Sequence, residues 1–425
     1  MLNRDKIFLY FDRAIITFLC FLIFYLPFAK AGVEIFVWSA IFIFILKRVL
    51  GYRAGSGWGM FPETGLNIAL GIFIAVNALS MIFSSHFGLS FRGFFGKELK
   101  FIAIYFMLVE VINSKRRLKI ILIAIISSAV LIVFDAGAQY FRGVDFLRGY
   151  GWARLRASFI SANDFAGWLI VIVPLFLGLL AAGKTIGKGL KALLLILIIL
   201  LIVCLLATYA RGAWLSFIIG ISLMGWYFFK NFTLKVKLSC LSLGIGLLAI
   251  FLILPQPIQT KVKAIGRIDF KVGDTVNARI KSTLKTEEGS TPIRFHLWKE
   301  ALRMIRDYNF TGCGLNTYSV VARDYKSFDF GANYPHNCYL QMAAETGLFG
   351  LSAFLWVLLV FFKTGLRHFN LRKDYLVLGL LSGILAFLVQ SFFDTNLYAL
   401  QLVVLFWYML GLTAAVTKLD QKELA

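Results

Sequence analysis

Twelve continuous apolar runs dominate the sequence, at 14–29, 33–46, 66–83, 98–112, 118–135, 164–182, 190–207, 213–229, 235–254, 346–362, 375–393 and 396–417. A helix needs about 20 residues to cross a bilayer, and the shorter runs reach that length through tilt or through their flanks. Of the 425 residues 60% are apolar and 16% charged, against about 45–50% apolar in a soluble domain. A soluble enzyme, a disordered chain and a secreted disulfide scaffold are thereby excluded. The hydrophobicity is continuous rather than alternating, so helices and not barrel strands form the spans. The sequence therefore predicts an all-α polytopic membrane protein with about twelve transmembrane helices, the first run being span one rather than a cleavable signal.

The net charge of +22 would suggest nucleic acid in a soluble protein. In a chain this apolar it points to basic loops beside anionic lipid, with the remainder available for an anionic substrate, and to no nucleic-acid partner. With the N-terminus in the cytoplasm, the inside segments carry 22 basic residues and the short outside segments carry 9. That asymmetry puts both ends inside. Three parts follow: 1–254 with spans one to nine, an outside loop at 255–345, and 346–425 with spans ten to twelve and a cytoplasmic tail. The outside loop holds 13 basic and 9 acidic residues. Its first half, Lys261 to Ser290, reads as irregular surface. In Arg294–Asp307, Trp298, Leu302 and Ile305 recur at helical spacing, which predicts an amphipathic helix on the membrane face. A glycine-rich turn follows at Thr311-Gly312-Cys313-Gly314. A looser stretch then leads to Tyr334-Pro335-His336-Asn337, and a helix through Tyr339, Leu340, Met342 and Ala343 runs into the tenth span.

Several residues carry candidate chemistry. His336 follows a proline and is expected to open a helix, where the positive end of the dipole favours a neutral imidazole able to accept a hydroxyl proton. The alternative is a capping or packing histidine. Of the other histidines, His368 reads as solvated surface, His86 lies in a short loop and His296 in the amphipathic helix. Arg211 sits in a short turn between two apolar spans, where a guanidinium needs water, a headgroup or an anion. Its planar fork suits phosphate, while a snorkelling interfacial residue is the plainer account. Arg142, Arg148, Arg154 and Arg156 share one outside loop, against the topological bias, which suggests an anionic headgroup there; Ser158 and Asn163 lie beyond them. Arg92 and Lys97 form a weaker version of the same pattern. Arg294, expected at the start of its helix, hints at a bound anion between its guanidinium and the helix end. Glu34, Glu98, Glu110, Asp135, Asp164 and Asp394 lie near span ends and read as helix-end polarity. No metal-ligand motif is present, so arginines would neutralise any phosphate. Cys313 and Cys338 share the outside loop and form a candidate disulfide pair, which spacing alone does not establish.

These residues form an ordered series. Arg211-Gly212-Ala213-Trp214, Arg294 with Trp298, Gly312-Cys313-Gly314, His336-Asn337-Cys338-Tyr339-Leu340-Gln341 and Glu345-Thr346-Gly347-Leu348-Phe349-Gly350 together resemble the bacterial O-antigen ligase and O-antigen polymerase superfamily. Arg154 and Arg156, Phe159 and Asn163 resemble that family's segment before a span, with Ala162 where the family usually has proline. The resemblance runs from about 150 to 350. It implies a GT-C-like glycosyltransferase of the bacterial inner membrane, its active site on the periplasmic side and its large periplasmic loop carrying amphipathic helices. It implies a glycan donor on undecaprenyl pyrophosphate, an acceptor that is lipid A-core (ligase) or a lipid-linked glycan (polymerase), and no metal or other cofactor. It assigns catalysis to His336, Arg211 and Arg294, with Arg154, Arg156, Arg148, Asn163, Asn337 and Tyr334 as substrate-binding candidates. The ligase leads and a surface-polysaccharide polymerase is the near alternative. A protein O-oligosaccharyltransferase is more distant. A transporter should show repeats or broken spans with midplane charges, which the sequence lacks, and a structural protein leaves the outside arginines without a purpose.

Overall fold

The computed structural model describes residues 4–53, 61–147, 149, 154–182, 187–228, 290–326 and 334–422. The expected ninth span, 235–254, the irregular half-loop up to 289, Cys240 and Arg148 lie outside these residues. Among those described the protein is all-helical, and each of the other eleven apolar runs coincides with a helix. The helices are α1 (Arg4–Tyr25), α2 (Lys30–Arg53), α3 (Asn67–Ile82), α4 (Phe87–Gly93), α5 (Leu99–Val111), α6 (Lys115–Arg142), α7 (Ala162–Ala181), α8 (Lys188–Ala207), α9 (Arg211–Phe228), α10 (Ser290–Asp307), α11 (Tyr318–Val321), α12 (Cys338–Arg372), α13 (Tyr375–Gln390) and α14 (Leu400–Lys422). Six of them, α1, α6, α7, α8, α12 and α14, are long and apolar enough to cross a membrane, and α3 and α13 are shorter apolar helices. The protein is therefore multi-pass by length and composition.

The helix ends follow local chemistry. Ser114, Ser161 and Asp374 cap α6, α7 and α13 by accepting from backbone N–H groups of their first turns, which satisfies donors that a helix start leaves orphaned. Packing centres on α13. It runs antiparallel to α7, and the two touch backbone to backbone where Gly178 meets Gly379 and where Gly383 meets Val171. On its other side, α9 approaches through Gly220 against Ser382 and Ala386. Small residues at these crossings let helix backbones approach without a side chain between them. At the end of the bundle away from the loops described below, Lys47 pairs with Asp12 and Glu110, Arg48 with Glu110, and Arg117 with Asp12. This network ties α1, α2, α5 and α6 together, so Glu110 is an ion-pair partner rather than helix-end polarity.

The polar segment departs from expectation in instructive ways. α10 begins at Ser290, so Arg294 lies past its first turn rather than opening it. Its buried stripe is Leu297, Ala301 and Met304, packed toward α12, while Leu302 is exposed. The helical spacing was right and the phase was off by one position. Asp135 is also reassigned. It is buried and accepts from the Ser158 hydroxyl and the Phe146 N–H, at 2.7 Å for the latter. His368, expected at the surface, is buried, with Nε2 4.0 Å from Asp374.

α12 breaks at Gly347, whose φ of +70° lies in the left-handed region. The break frees backbone groups that need new partners. The glycine-rich turn supplies them: the Cys313 N–H donates to the Ala344 carbonyl at 2.9 Å and the Gly314 N–H to the Glu345 carbonyl at 2.8 Å. In return the Leu348 N–H donates to the Asn309 carbonyl at 2.8 Å. Gly312 (φ +74°) and Gly347 face this junction so closely that a methyl on either would strike the opposing backbone. The 309–314 turn is thus docked onto the kink, and it carries α10 with it.

Candidate active site

His336 does not open α12. Pro335 precedes it, its own φ is +48°, and the helix starts two residues later, capped by Asn337. The Asn337 carbonyl oxygen of the side chain accepts from the Tyr339 and Leu340 N–H groups at 3.0 and 3.1 Å. Asn337 is buried and engaged in capping, which leaves little of it to face a ligand. The neighbour of His336 is a carboxylate rather than a helix dipole: Nδ1 lies 3.4 Å from Asp394 Oδ1. The adjoining backbone is held on both sides. The Cys338 N–H donates to the Ser391 carbonyl at 2.8 Å, and its thiol donates to the Asp394 carbonyl at 3.1 Å. Cys313 lies instead against the Thr317 hydroxyl, so both cysteines are thiols and not a disulfide.

Asp394 sits in the short turn between α13 and α14 and joins three elements. Its Oδ1 faces His336 and accepts the Thr395 N–H at 2.8 Å. Its Oδ2 accepts from Asn163 Nδ2 at 2.7 Å. Burial pushes the carboxyl up, but the hydrogen bonds from His336, the Thr395 N–H and Asn163 outweigh it and hold the pKa below the ordinary value of 3.8. Asp394 is therefore ionised at neutral pH. The sequence alone reads Asp394 as helix-end polarity; a lone carboxylate in a turn with no basic residue is the available signal.

The chain of contacts continues outward. Asn163, in the first turn of α7, accepts through Oδ1 from Arg154 Nη2 at 2.9 Å, and Arg154 Nε donates to the Thr208 carbonyl at 2.7 Å. Thr208 belongs to the turn that ends in Arg211, the first residue of α9. Within that motif Trp214 is buried and donates to the Leu205 carbonyl at 2.9 Å. Gly212 lies against Gln390 and Phe393, the latter adjacent to Asp394. Arg211 itself is exposed, with no hydrogen-bond or ion-pair partner among the described residues. On the opposite side Trp298 Nε1 donates to the Pro335 carbonyl at 2.9 Å, fixing α10 beside His336. Arg294 is one helical turn before Trp298, on the same face of α10, and is half-buried without a partner among the described residues. Contacts thus lead from Thr208 through Arg154, Asn163 and Asp394 to His336, with Arg211 and Arg294 carried on the elements at either end.

Three expected binding residues are engaged in contacts within the protein. Arg156 is 4% exposed, donates to the Ile160 carbonyl at 2.9 Å and faces Asp145, and its N–H donates to Gln139. It shapes the 154–161 loop from within instead of reaching toward a headgroup. Asn163 and Arg154 serve as links to Asp394. Tyr334 is 42% exposed and stacks on Tyr318 at a centroid distance of 6.3 Å. Arg142, in the last turn of α6, is exposed. Among the described residues no group of three or more His, Cys, Asp or Glu could hold a metal ion.

The protein is hollow beside Tyr334 and Thr395. A cavity of 120 Å³ is lined by Tyr334, Gln341, Glu345 and Thr395 among others. It shares Lys97, Asn316, Glu345, Tyr398 and Ala399 with a larger cavity of 320 Å³ that reaches Glu98 and Trp407.

No curated protein matches the chain. A family model described as O-antigen ligase matches residues 196–355, a stretch that contains Arg211, Arg294 and His336 but not Arg154, Asn163 or Asp394. Over this segment the chain is similar to the O-antigen ligase superfamily.

Proposed function

We propose that the protein is an O-antigen ligase of the bacterial inner membrane that transfers a glycan from undecaprenyl pyrophosphate to lipid A-core at the periplasmic face. The observation that carries the reading is the His336–Asp394 contact at 3.4 Å, linked through Asn163 and Arg154 to the turn that presents Arg211. With Nδ1–H directed at an ionised carboxylate, Nε2 is the basic nitrogen. It accepts the proton of the acceptor hydroxyl as that oxygen attacks the anomeric carbon. The bond from that carbon to the pyrophosphate oxygen breaks, undecaprenyl pyrophosphate leaves as the anion, and direct displacement inverts the anomeric configuration.

The growing charge on the pyrophosphate calls for fixed cations. Arg211 stands at the first position of α9, where the helix dipole disfavours a cation on its own but favours an anion beside one. Arg294 supplies a second guanidinium from α10. Both forks suit phosphate oxygens, so charge neutralisation needs no divalent ion in this scheme. Asp394 orients the imidazole and stabilises its protonated form.

A reconstituted transfer assay tests this. His336→Ala should lower turnover by roughly 10²–10⁴-fold, and Arg211→Ala or Arg294→Ala by about 10²–10³-fold, with membrane insertion intact. Wild-type turnover in all three variants would end the assignment. A polymerase of the same superfamily is the second reading, since the matched segment serves both. Supplying the donor with and without lipid A-core separates them: product on lipid A-core supports the ligase, and longer chains on the polyprenyl carrier support the polymerase.

A further inference from the structure

We infer that the outward face of α10 is a docking surface for anionic lipid, seated in the headgroup layer of the leaflet on its own side of the bilayer. The inference concerns a surface away from the transfer chemistry and does not depend on it. α10 carries two apolar stripes. Leu297, Ala301 and Met304 are buried against the protein. Phe295 and Leu302, at 56% and 53% exposure, lie on the opposite face. Residues 295, 299, 302 and 306 recur at helical spacing, so Lys299 and Arg306 share that face, and both are exposed. No carboxylate stands at these positions. Glu300 is buried, and Asp307 accepts from the Tyr325 hydroxyl at 2.7 Å.

What covers this face follows from where the helix ends. Phe310, just beyond it, is 56% exposed and packs on Phe349 with ring centroids 5.3 Å apart. Phe349 heads an exposed apolar stripe that continues along α12 through Trp356 and Leu359. α12 is long and apolar enough to cross a membrane, and an exposed apolar stripe on such a helix faces lipid. Phe310 therefore stands at the edge of the lipid-facing surface, held there by the docked 309–314 turn. A helix leaving that edge with apolar side chains set between Lys and Arg has the pattern of an interfacial helix, its apolar groups among acyl chains and its cations at the level of the phosphates. A neutral headgroup satisfies only the apolar part of this face. An anionic one also pairs with Lys299 and Arg306. A second copy docked two-fold on the same face would set these cations against their own counterparts. Lipid docking would also fix the height of α10, and with it Trp298, whose ring nitrogen bonds the Pro335 carbonyl.

Lipid contact can be read without turnover, on the purified full chain in nanodiscs. In a background whose native cysteines are replaced, Leu302→Cys carries a nitrobenzoxadiazole fluorophore. The discs are phosphatidylcholine alone, or phosphatidylcholine with an increasing fraction of phosphatidylglycerol, each with a trace of lipid carrying a nitroxide near its headgroup. The nitroxide should quench the fluorophore, and quenching should rise with the phosphatidylglycerol fraction. Lys299→Gln and Arg306→Gln should each raise the fraction needed for half-maximal quenching on the order of fivefold, with the melting temperature unchanged. Quenching that ignores phosphatidylglycerol, or that the two substitutions leave unmoved, would overturn the proposal. So would a water-exposed, unquenched emission in every disc, or a blue-shifted but unquenched one, which would mark a face covered by protein instead of lipid. None of these readouts involves transfer, so they stand or fall separately from the proposed reaction.

Discussion

Asp394 is 8% exposed and still ionised, because three donors converge on it. Its hold on the imidazole makes it the positioning residue of the proposed reaction. Asp394→Asn keeps the shape and loses the charge, and turnover should fall on the order of a hundredfold. The same residue should affect acid stability. Its folded pKa lies below its unfolded value of 3.8, so its ionised form stabilises the fold at neutral pH. That contribution is lost as pH falls through the folded pKa. Melting temperatures of wild type and Asp394→Asn should therefore differ most near pH 7 and converge as pH drops toward 3. A gap that stays constant across this range would contradict the ionised state. His336, Arg211 and Arg294 could be proposed from the sequence because each sits in a short motif of fixed order. Asp394 was not, since 58 residues separate it from His336 and its turn has no motif of its own. Arg156 shows the converse: its charge was visible, but not that the loop closes over it.

At the level of elements, periodicity gave α10 its existence and length but not its phase. Leu297, Ala301 and Met304 satisfy the same spacing as Trp298, Leu302 and Ile305, and only the partner surface chooses between two such stripes. The choice turns on Trp298, whose ring nitrogen bonds the Pro335 carbonyl and so keeps it at the edge of the buried face. The break in α12 was hidden for a related reason. Gly347 sits inside a sequence that reads as uninterrupted helix, and its left-handed backbone is sustained by the 309–314 turn. Gly347→Ala should cost about 1–3 kcal/mol in backbone strain alone, with the collision against the Phe310 carbonyl added. The measurement is thermal unfolding in detergent together with transfer activity, and both should fall because the turn carries α10 and Arg294. Unchanged melting would show that the kink tolerates a side chain and that the junction is looser than its geometry implies.

For the molecule as a whole, the apolar runs made the helical architecture readable before any coordinates. Helix pairing was not readable, because in spans this apolar the hydrophobic pattern is nearly the same on every face and small residues select the contacts. The proposed topology makes a direct prediction. In a background whose native cysteines are replaced, a membrane-impermeant thiol reagent added to intact spheroplasts should label Arg92→Cys and not Arg116→Cys. The reverse pattern would move the proposed site to the cytoplasm. The glycine contacts between α7 and α13 have a further consequence. Asn163 stands at the start of one of these helices and Asp394 just beyond the end of the other. With the two backbones already touching, that gap is at its minimum width and acts as a fixed gauge for the distance between the two side chains. Under the proposed function, a relative that accepts a bulkier sugar must therefore make room on the opposite wall, by shifting α10 and the segment at Tyr334, while the α7–α13 wall stays as it is.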